Sequence, residues 1–538
     1  MDIILYNFSI NNIWGINMRK ISIILVFSFF FSLLLALPVS ALPTEVWVDD
    51  DGFYDGITFF NTINEGIDGV ETGGTVHVAA GTYCENVNIT KNISLLGSGS
   101  DITFIDGQNV SRAIYAEGLN SSVTIDGFTI QNGKGDNGGG ICSIGSSPNI
   151  TNCTFSSNTA TNYGGAMYNN GSSPTVTNCN FSNNTASFLG GAIFNDWSTP
   201  TITNCDFFSN STVHCGGGMF NKDSSPTVTN CTFSENIAYF GAGMYNSSSS
   251  PSITNCDFFS NITVHCGGGM YNSSSSPKVT NCTLTGNTAE YGGGMNNFDS
   301  SPAVTNCTFY DNISSYGGGM NNCSSSSPKV TNCTFYDNTA SNSGGGIHNE
   351  ISSSPKITNC IIWENTPDAV SNASSSAPTI TYSDVSGGYV GTGNIDEGPL
   401  FVDAANNDFR ILSSSPCAES GTDTGAPEYG SVIDDVIGTL RPTGNNYDMG
   451  AYECVKIFKI CGGWTILPWL GDCCTCLDEA LTGLEGHIDY VYRWNSDIGE
   501  YEYSHYINEE LGWQGDFNTF ELVRGYWFHS NGDCIWRI

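Results

Sequence analysis

The stretch "SSPTVTNCTF", residues 224–233, recurs with small changes every 25 to 27 residues and decides the fold. Its copies set Cys153, Cys179, Cys205, Cys231, Cys256, Cys282, Cys307, Cys333 and Cys360 in one column. Three positions before each cysteine stands Val or Ile; two after it stands Phe in seven copies, with Leu284 and Ile362 in the others. Side chains alternate along a strand, so two apolar positions five residues apart cannot share one face of an unbroken strand. The phase must shift between them. The residue just before the cysteine is Asn in all nine copies, and Asn tolerates left-handed backbone better than other non-glycine residues. An Asn bend therefore joins two short strands whose apolar residues both point inward, and the cysteine shares the inward face of the Phe.

A second Asn follows each cysteine by five residues, from Asn158 to Asn365, and a glycine cluster leading into units such as "GGGMYN" completes the repeat. Three short strands per repeat separated by bends make one coil of a parallel β-helix, with successive coils about 4.8 Å apart. Like then stacks on like: Asn side chains bond amide to amide as an asparagine ladder, while Val, Phe, Met and Cys form apolar columns. Stacked cysteines have parallel Cβ vectors about 4.8 Å apart, against the converging 3.5 to 4.5 Å that a disulfide needs. The column is read as buried free thiols acting as small apolar core residues. Cys84, Cys142 and Cys323 stand off the column and stay open.

The formal net charge of -36 reflects a shortage of base, with 16 Lys plus Arg against 52 Asp plus Glu. No Arg lies between Arg112 and Arg410. Such a chain lacks the basic face that nucleic acid requires. The stretch "MRKISIILVFSFFFSLLLALPVSALP", from Met18, has the basic start, apolar run and small-residue exit of a secretory signal ending at Ala41; its near-spanning length leaves a signal anchor as the alternative. The mature chain is expected to be secreted, extracellular or at the cell surface, with no transmembrane anchor after the signal.

Residues 59–107 read as a short amphipathic helix around Ile63 to Ile67 followed by the first coils, a cap over the open end of the solenoid. With these features the chain resembles the right-handed parallel β-helix family of pectin-lyase-like proteins, especially repeat-rich surface proteins of archaea and bacteria. The resemblance covers residues 45–455, with regular repeats over 138–388. Residues 389–455 look like the family's closing segment, with Pro399, Phe401, Pro416, Arg441, Asp448, Gly450 and Glu453 in matching places. Residues 456–538 resemble a small β-rich, cysteine- and aromatic-rich module appended to prokaryotic surface proteins. Its Cys461, Cys473, Cys474, Cys476 and Cys534, with Cys454, suit three disulfides, or "CCTC" a metal site.

Lyases of this resemblance use acidic residues for calcium and an Arg or Lys as base. The repeats offer no Arg and, beyond Lys134, only Lys222, Lys278, Lys329 and Lys356. The Asn-Thr-Asp and Gly-His-Gly signatures of the hydrolases are absent. One acidic constellation remains. Asp311, Asp337 and Glu364 occupy the same place on three consecutive coils, and such a row is a solvated turn, a calcium site, or the paired carboxylates of a glycosidase.

A second feature is aromatic. In the "GGGMYN" units the residue after the inward Met or Ile points outward, and over five coils it is Tyr168, Phe194, Phe220, Tyr245 and Tyr271. An exposed stripe of this kind stacks on sugar rings or docks a partner, unless Ser-rich loops cover it or the rings stack on one another. Sequons at Asn246 and Asn272 read as loop sites for glycan, whereas Asn230 sits at a bend read as buried. His214-Cys215 and His265-Cys266 lie two coils apart, about 10 Å, too far to share an ion, and read as surface or packing residues. The expected function is a non-enzymatic structural or adhesive β-helix contacting polysaccharide or cell-envelope components, with no required cofactor beyond the calcium option. A polysaccharide lyase or glycoside hydrolase acting on acidic glycans is the alternative.

Overall fold

In the computed structural model the described residues are 42–423 except 53 and 54, then 435–439, 441–442 and 446–454, and seven strands between 457 and 537. The expected signal lies outside them, as do Cys461, Cys473, Cys474, Cys476 and the side chain of Cys534.

The chain winds into a parallel β-solenoid. Each coil contributes one strand to each of three long sheets of 15, 13 and 12 strands. In the coil of the opening quotation these are Thr227–Thr229, Thr232–Ser234 and Met244–Ser247. At the inward positions of the first sheet the register is like on like, Val176 pairing Ile202 and Ile202 pairing Val228. Every Asn before a column cysteine takes left-handed backbone, φ 51 to 53°. That conformation turns Val228, Cys231 and Phe233 all inward, and each is at most 2% exposed. The column thiols are unpaired, and Cys231 Sγ reaches the carbonyl of Thr229 at 3.2 Å and that of Ile202, on the coil before, at 3.7 Å.

Two further interior ladders hold the coils in register. Asn184 Nδ2 donates to Asn210 Oδ1 and to Phe155 O, both at 3.0 Å, and Asn184 N donates to the same Asn210 Oδ1 at 3.0 Å. The second ladder runs through Asn169, Asn195, Asn221, Asn246 and Asn272 at 2.8 to 2.9 Å per step. A buried amide left unpaired costs about 1–3 kcal/mol, so a one-coil slip is opposed at every rung. Beside the first ladder the rings of Phe155, Phe181, Phe207, Phe233 and Phe258 stack at 4.4 to 4.8 Å.

These ladders correct the reading of the sequons. Asn246 and Asn272 are fully buried rungs and not loop sites, while Asn230 at the bend is exposed, in an outer amide ladder with Asn204 at 3.1 Å. The bend turns backbone inward and its side chain outward.

A fourth strand, beyond the three read from sequence, runs between the second Asn and the glycines. Lys134–Asn137, Thr159–Tyr163, Thr185–Ala186, Ser211–Thr212, Ile237–Phe240 and Ile262–Cys266 pair in that order. Two glycine roles end it. Gly190 has φ 67°, and a Cβ on Gly165 would lie 2.3 Å from Gly191 O on the next coil.

At the start of the array the helix Ile63–Gly69 caps the core with Ile63 and Ile67, and Thr62 accepts from Glu65 N at its N-terminus. At the far end the closing segment folds over the second sheet. Arg441 Nη1 meets Glu453 Oε1 at 2.9 Å with both side chains buried, Gly450 N donates to Asn359 O, and Phe409 packs on Tyr310 and Tyr336. The strands after residue 456 include a five-stranded antiparallel sheet.

Candidate functional site

The expected aromatic stripe has the outward phase, since Tyr168 sits between the inward Met167 and Asn169, but it is not exposed. Tyr168, Phe194, Phe220 and Tyr271 are 7%, 2%, 5% and 8% accessible, and Tyr245 is half-buried. Successive rings lie 4.8 to 5.6 Å apart, stacked from Tyr168 to Tyr245 and tilted by 38° between Tyr245 and Tyr271. The end of the fourth strand, and the residues that continue its line through isolated bridges on the following coils, supply the cover. Tyr163, Leu189 and Cys215 pack onto the column, and Phe240 approaches Tyr271 at 5.7 Å. The rings form a second apolar core outside the first, in place of a surface for ligand.

The acidic row keeps its alignment. Tyr310, Tyr336 and Trp363 are register partners, so Asp311, Asp337 and Glu364, each one residue later and each at a left-handed turn, stand one coil apart. All three are exposed. Partial burial, and then the neighbouring carboxylate, push Asp311 and Asp337 above the ordinary carboxylate range. Tyr336 Oη donates to Glu364 Oε2. The row thus presents one carboxylate per coil along a line. Among the described residues the only cluster of three or more His, Cys, Asp or Glu with ligand atoms mutually within 4.8 Å is Asp49, Asp50 and Asp51, in an exposed turn outside the repeats. The histidines pack: His214 stacks on Phe188 at 5.5 Å, and His265 stacks on Tyr291 and has Nδ1 2.9 Å from Cys266 Sγ.

The surface that is accessible and apolar lies on the outer face of the fourth strand. Ile237 and Ile262 are register partners, 54% and 51% exposed, and two residues further along each strand stand Tyr239 and Val264. Ala238 and Thr263 between them point inward and are buried. Val213 extends the band by one coil, and across the left-handed turn Phe208 and Phe259 flank it. The signal was present in "DFFSN", where the first Phe belongs to the core column and the second must point away from it. Polar positions, Thr185, Ser187 and Glu290, bound the band on neighbouring coils.

The family described as right handed beta helix region matches residues 112–284 and 260–385. No curated protein matches the chain. Among solved structures it is similar to XylC in complex with xylose, at 10% identity over 76% of this chain and 98% of that one, TM-score 0.39. It is similar also to PfbA, a surface adhesin of Streptococcus pneumoniae, at 14% identity over 61% and 89%, TM-score 0.33. A third is the catalytic unit of a GH87 α-1,3-glucanase from Streptomyces thermodiastaticus, at 10% identity over 64% and 69%, TM-score 0.26.

Proposed function

The chain belongs to the right-handed β-helix family, and from that premise we propose that it is a non-enzymatic, extracytoplasmic adhesive protein that binds polysaccharide along the outer face of its fourth sheet. The observation carrying this reading is the exposed band of Ile237, Tyr239, Ile262 and Val264 with Phe208 and Phe259. Aromatic and aliphatic side chains of this kind stack on the CH faces of sugar rings, while hydroxyl-bearing neighbours bond the ring edges. Because Val213, Tyr239 and Val264 repeat the contact on three successive coils about 4.8 Å apart, the surface suits an extended polymer better than a compact ligand. No helix among the described residues is long and apolar enough to cross a membrane.

The test is to incubate the protein with insoluble and soluble polysaccharides, with and without calcium, and to follow both retained protein and released sugar. Retention without new reducing ends supports the reading; release of sugar overturns its non-enzymatic part.

A second reading has its own observation. Asp311 and Asp337, raised in pKa beside Glu364, are the arrangement from which a glycosidase draws one protonated and one ionised carboxyl. On this reading sugar release disappears in Asp337→Asn, and wild-type release by that variant removes the row from consideration.

A further inference from the structure

In a chain so short of base, the positions of its unpaired cations carry information. Among the described residues Lys222 pairs with Asp196, Arg410 with Asp408 and Arg441 with Glu453, while Lys91 bonds the carbonyls of Asp68 and Val70. Lys278, Lys329 and Lys356 stand exposed on the outer face of the first sheet, with Lys329 and Lys356 as register partners one coil apart. Arg112 and Lys134 together line one concavity, an open cleft of about 990 Å³ near the start of the array, and neither makes an ion pair with a described residue.

The cleft is built by backbone. Lys134 N donates to Ser111 O at 2.8 Å, which sets the lysine on the coil next to Arg112. Asn86 Nδ2 donates to Arg112 O at 2.6 Å and ties the arginine to the coil before. The Arg112 guanidinium lies 5.3 Å above the Tyr115 ring, and Tyr115 Oη is held by Glu117 at 2.6 Å. Asp136, two residues along the strand from Lys134, accepts from Thr161 Oγ1 at 2.9 Å, and Asn88, the register partner of Tyr115, offers its exposed amide. Two cations, an aromatic ring, amide donors and one carboxylate acceptor therefore face one space. A bare inorganic anion would need only the first of these. A sugar residue bearing one anionic group uses all of them, the anion meeting the guanidinium fork and the hydroxyls meeting Asn88 and Asp136.

The cleft also lies on the same sheet as the apolar band. Lys134 is the register partner of Thr159, which continues through Thr185 and Ser211 to Ile237, four coils and about 19 Å along the axis. We propose that the Arg112–Lys134 cleft is an anchoring subsite for an anionic sugar residue, carboxylated or sulfated, of a polymer lying along the fourth sheet. This rests on the proposed function for the course of the polymer, while the cleft's preference for charge stands by itself.

The test titrates the full chain with a uronic-acid oligosaccharide, a sulfated one and a neutral one of equal length, at two salt concentrations. Wild type is expected to bind one charged oligosaccharide about tenfold or more tighter than the neutral one, with affinity falling as salt rises. In R112Q/K134Q that preference and its salt dependence disappear, and the charged and neutral oligosaccharides bind alike. R112K separates the sources, since a carboxylate gripped by the fork loses affinity and a sulfate held by charge keeps most of it. Equal affinity of wild type for charged and neutral oligosaccharides, or an undiminished preference in the double variant, overturns the subsite. Failure of the band shows differently: substitutions at Tyr239 and Val264 then leave all three affinities unmoved while R112Q/K134Q still abolishes the charge preference.

Discussion

The ring of Tyr163 stacks on that of Phe194 at 4.9 Å, with 21° between the planes. Tyr163 ends the fourth strand of one coil, and Phe194 is the outward ring of the next coil's third sheet. Their contact turns an outward aromatic column into an enclosed one. It also moves the surface available to a ligand from the third sheet to the fourth.

A first prediction follows for that enclosed column. Phe194→Ala removes a ring that stacks on Tyr163, Tyr168 and Phe220, and should cost about 3–5 kcal/mol by urea denaturation, as a buried Phe does. At a temperature where the variant stays folded, polysaccharide binding should match wild type. A loss of stability below about 0.5 kcal/mol, within the range of ordinary surface changes, would mean that the rings are not a core.

The asparagine ladder gives a second. Asn236→Ala leaves Asn210 N and Nδ2 without their shared acceptor and Phe207 O without its donor. Each unmet buried group costs about 1–3 kcal/mol, so the variant should lose several kcal/mol. Asn230→Gly, at the exposed bend with φ 52°, keeps the left-handed backbone and should be nearly neutral. Reversal of this order in denaturant titration would contradict the assignment of inner and outer ladders.

The contrast shows what was legible. The bend, the cysteine column and the second Asn repeat at fixed offsets, so coil, core and ladder could be read from Cys153 to Cys360. The fourth strand could not. Its inward residues are the small Ala160 and Ala186 and the polar Thr212 and Thr263, which carry no apolar alternation, and its length varies from two to five residues. Missing that strand hid both the cover over Phe194 and the band at Ile237. The sequons misled for a related reason: a side chain's face depends on local backbone phase, which "NSSSS" does not reveal.

Thiol chemistry supplies a third prediction. The nine column cysteines, at most 3% exposed, should not react with a water-soluble thiol reagent in the native protein and should all react in guanidinium. Rapid native labelling of Cys231 or Cys256, located by peptide mapping, would contradict the packing.

Burial pushes the Asp384 carboxyl up to about 6 from an ordinary value near 4, where its Oδ2 accepts from Cys417 Sγ at 3.2 Å. The folded state therefore holds this proton more tightly than the unfolded state. The group's contribution to stability is full below pH 4 and is lost as pH rises to 6. Asp384→Asn should remove that part of the pH dependence and raise the melting temperature at pH 7 relative to wild type. An unchanged profile between pH 4 and 6 would show that Asp384 is not the titrating group.

The most direct measurement titrates polysaccharide into the full chain and into a Tyr239→Ser, Val264→Ser variant whose fold is checked by circular dichroism. The account predicts binding by wild type, weakened about tenfold or more in the variant without change in melting temperature. Equal affinity in the two proteins would contradict it.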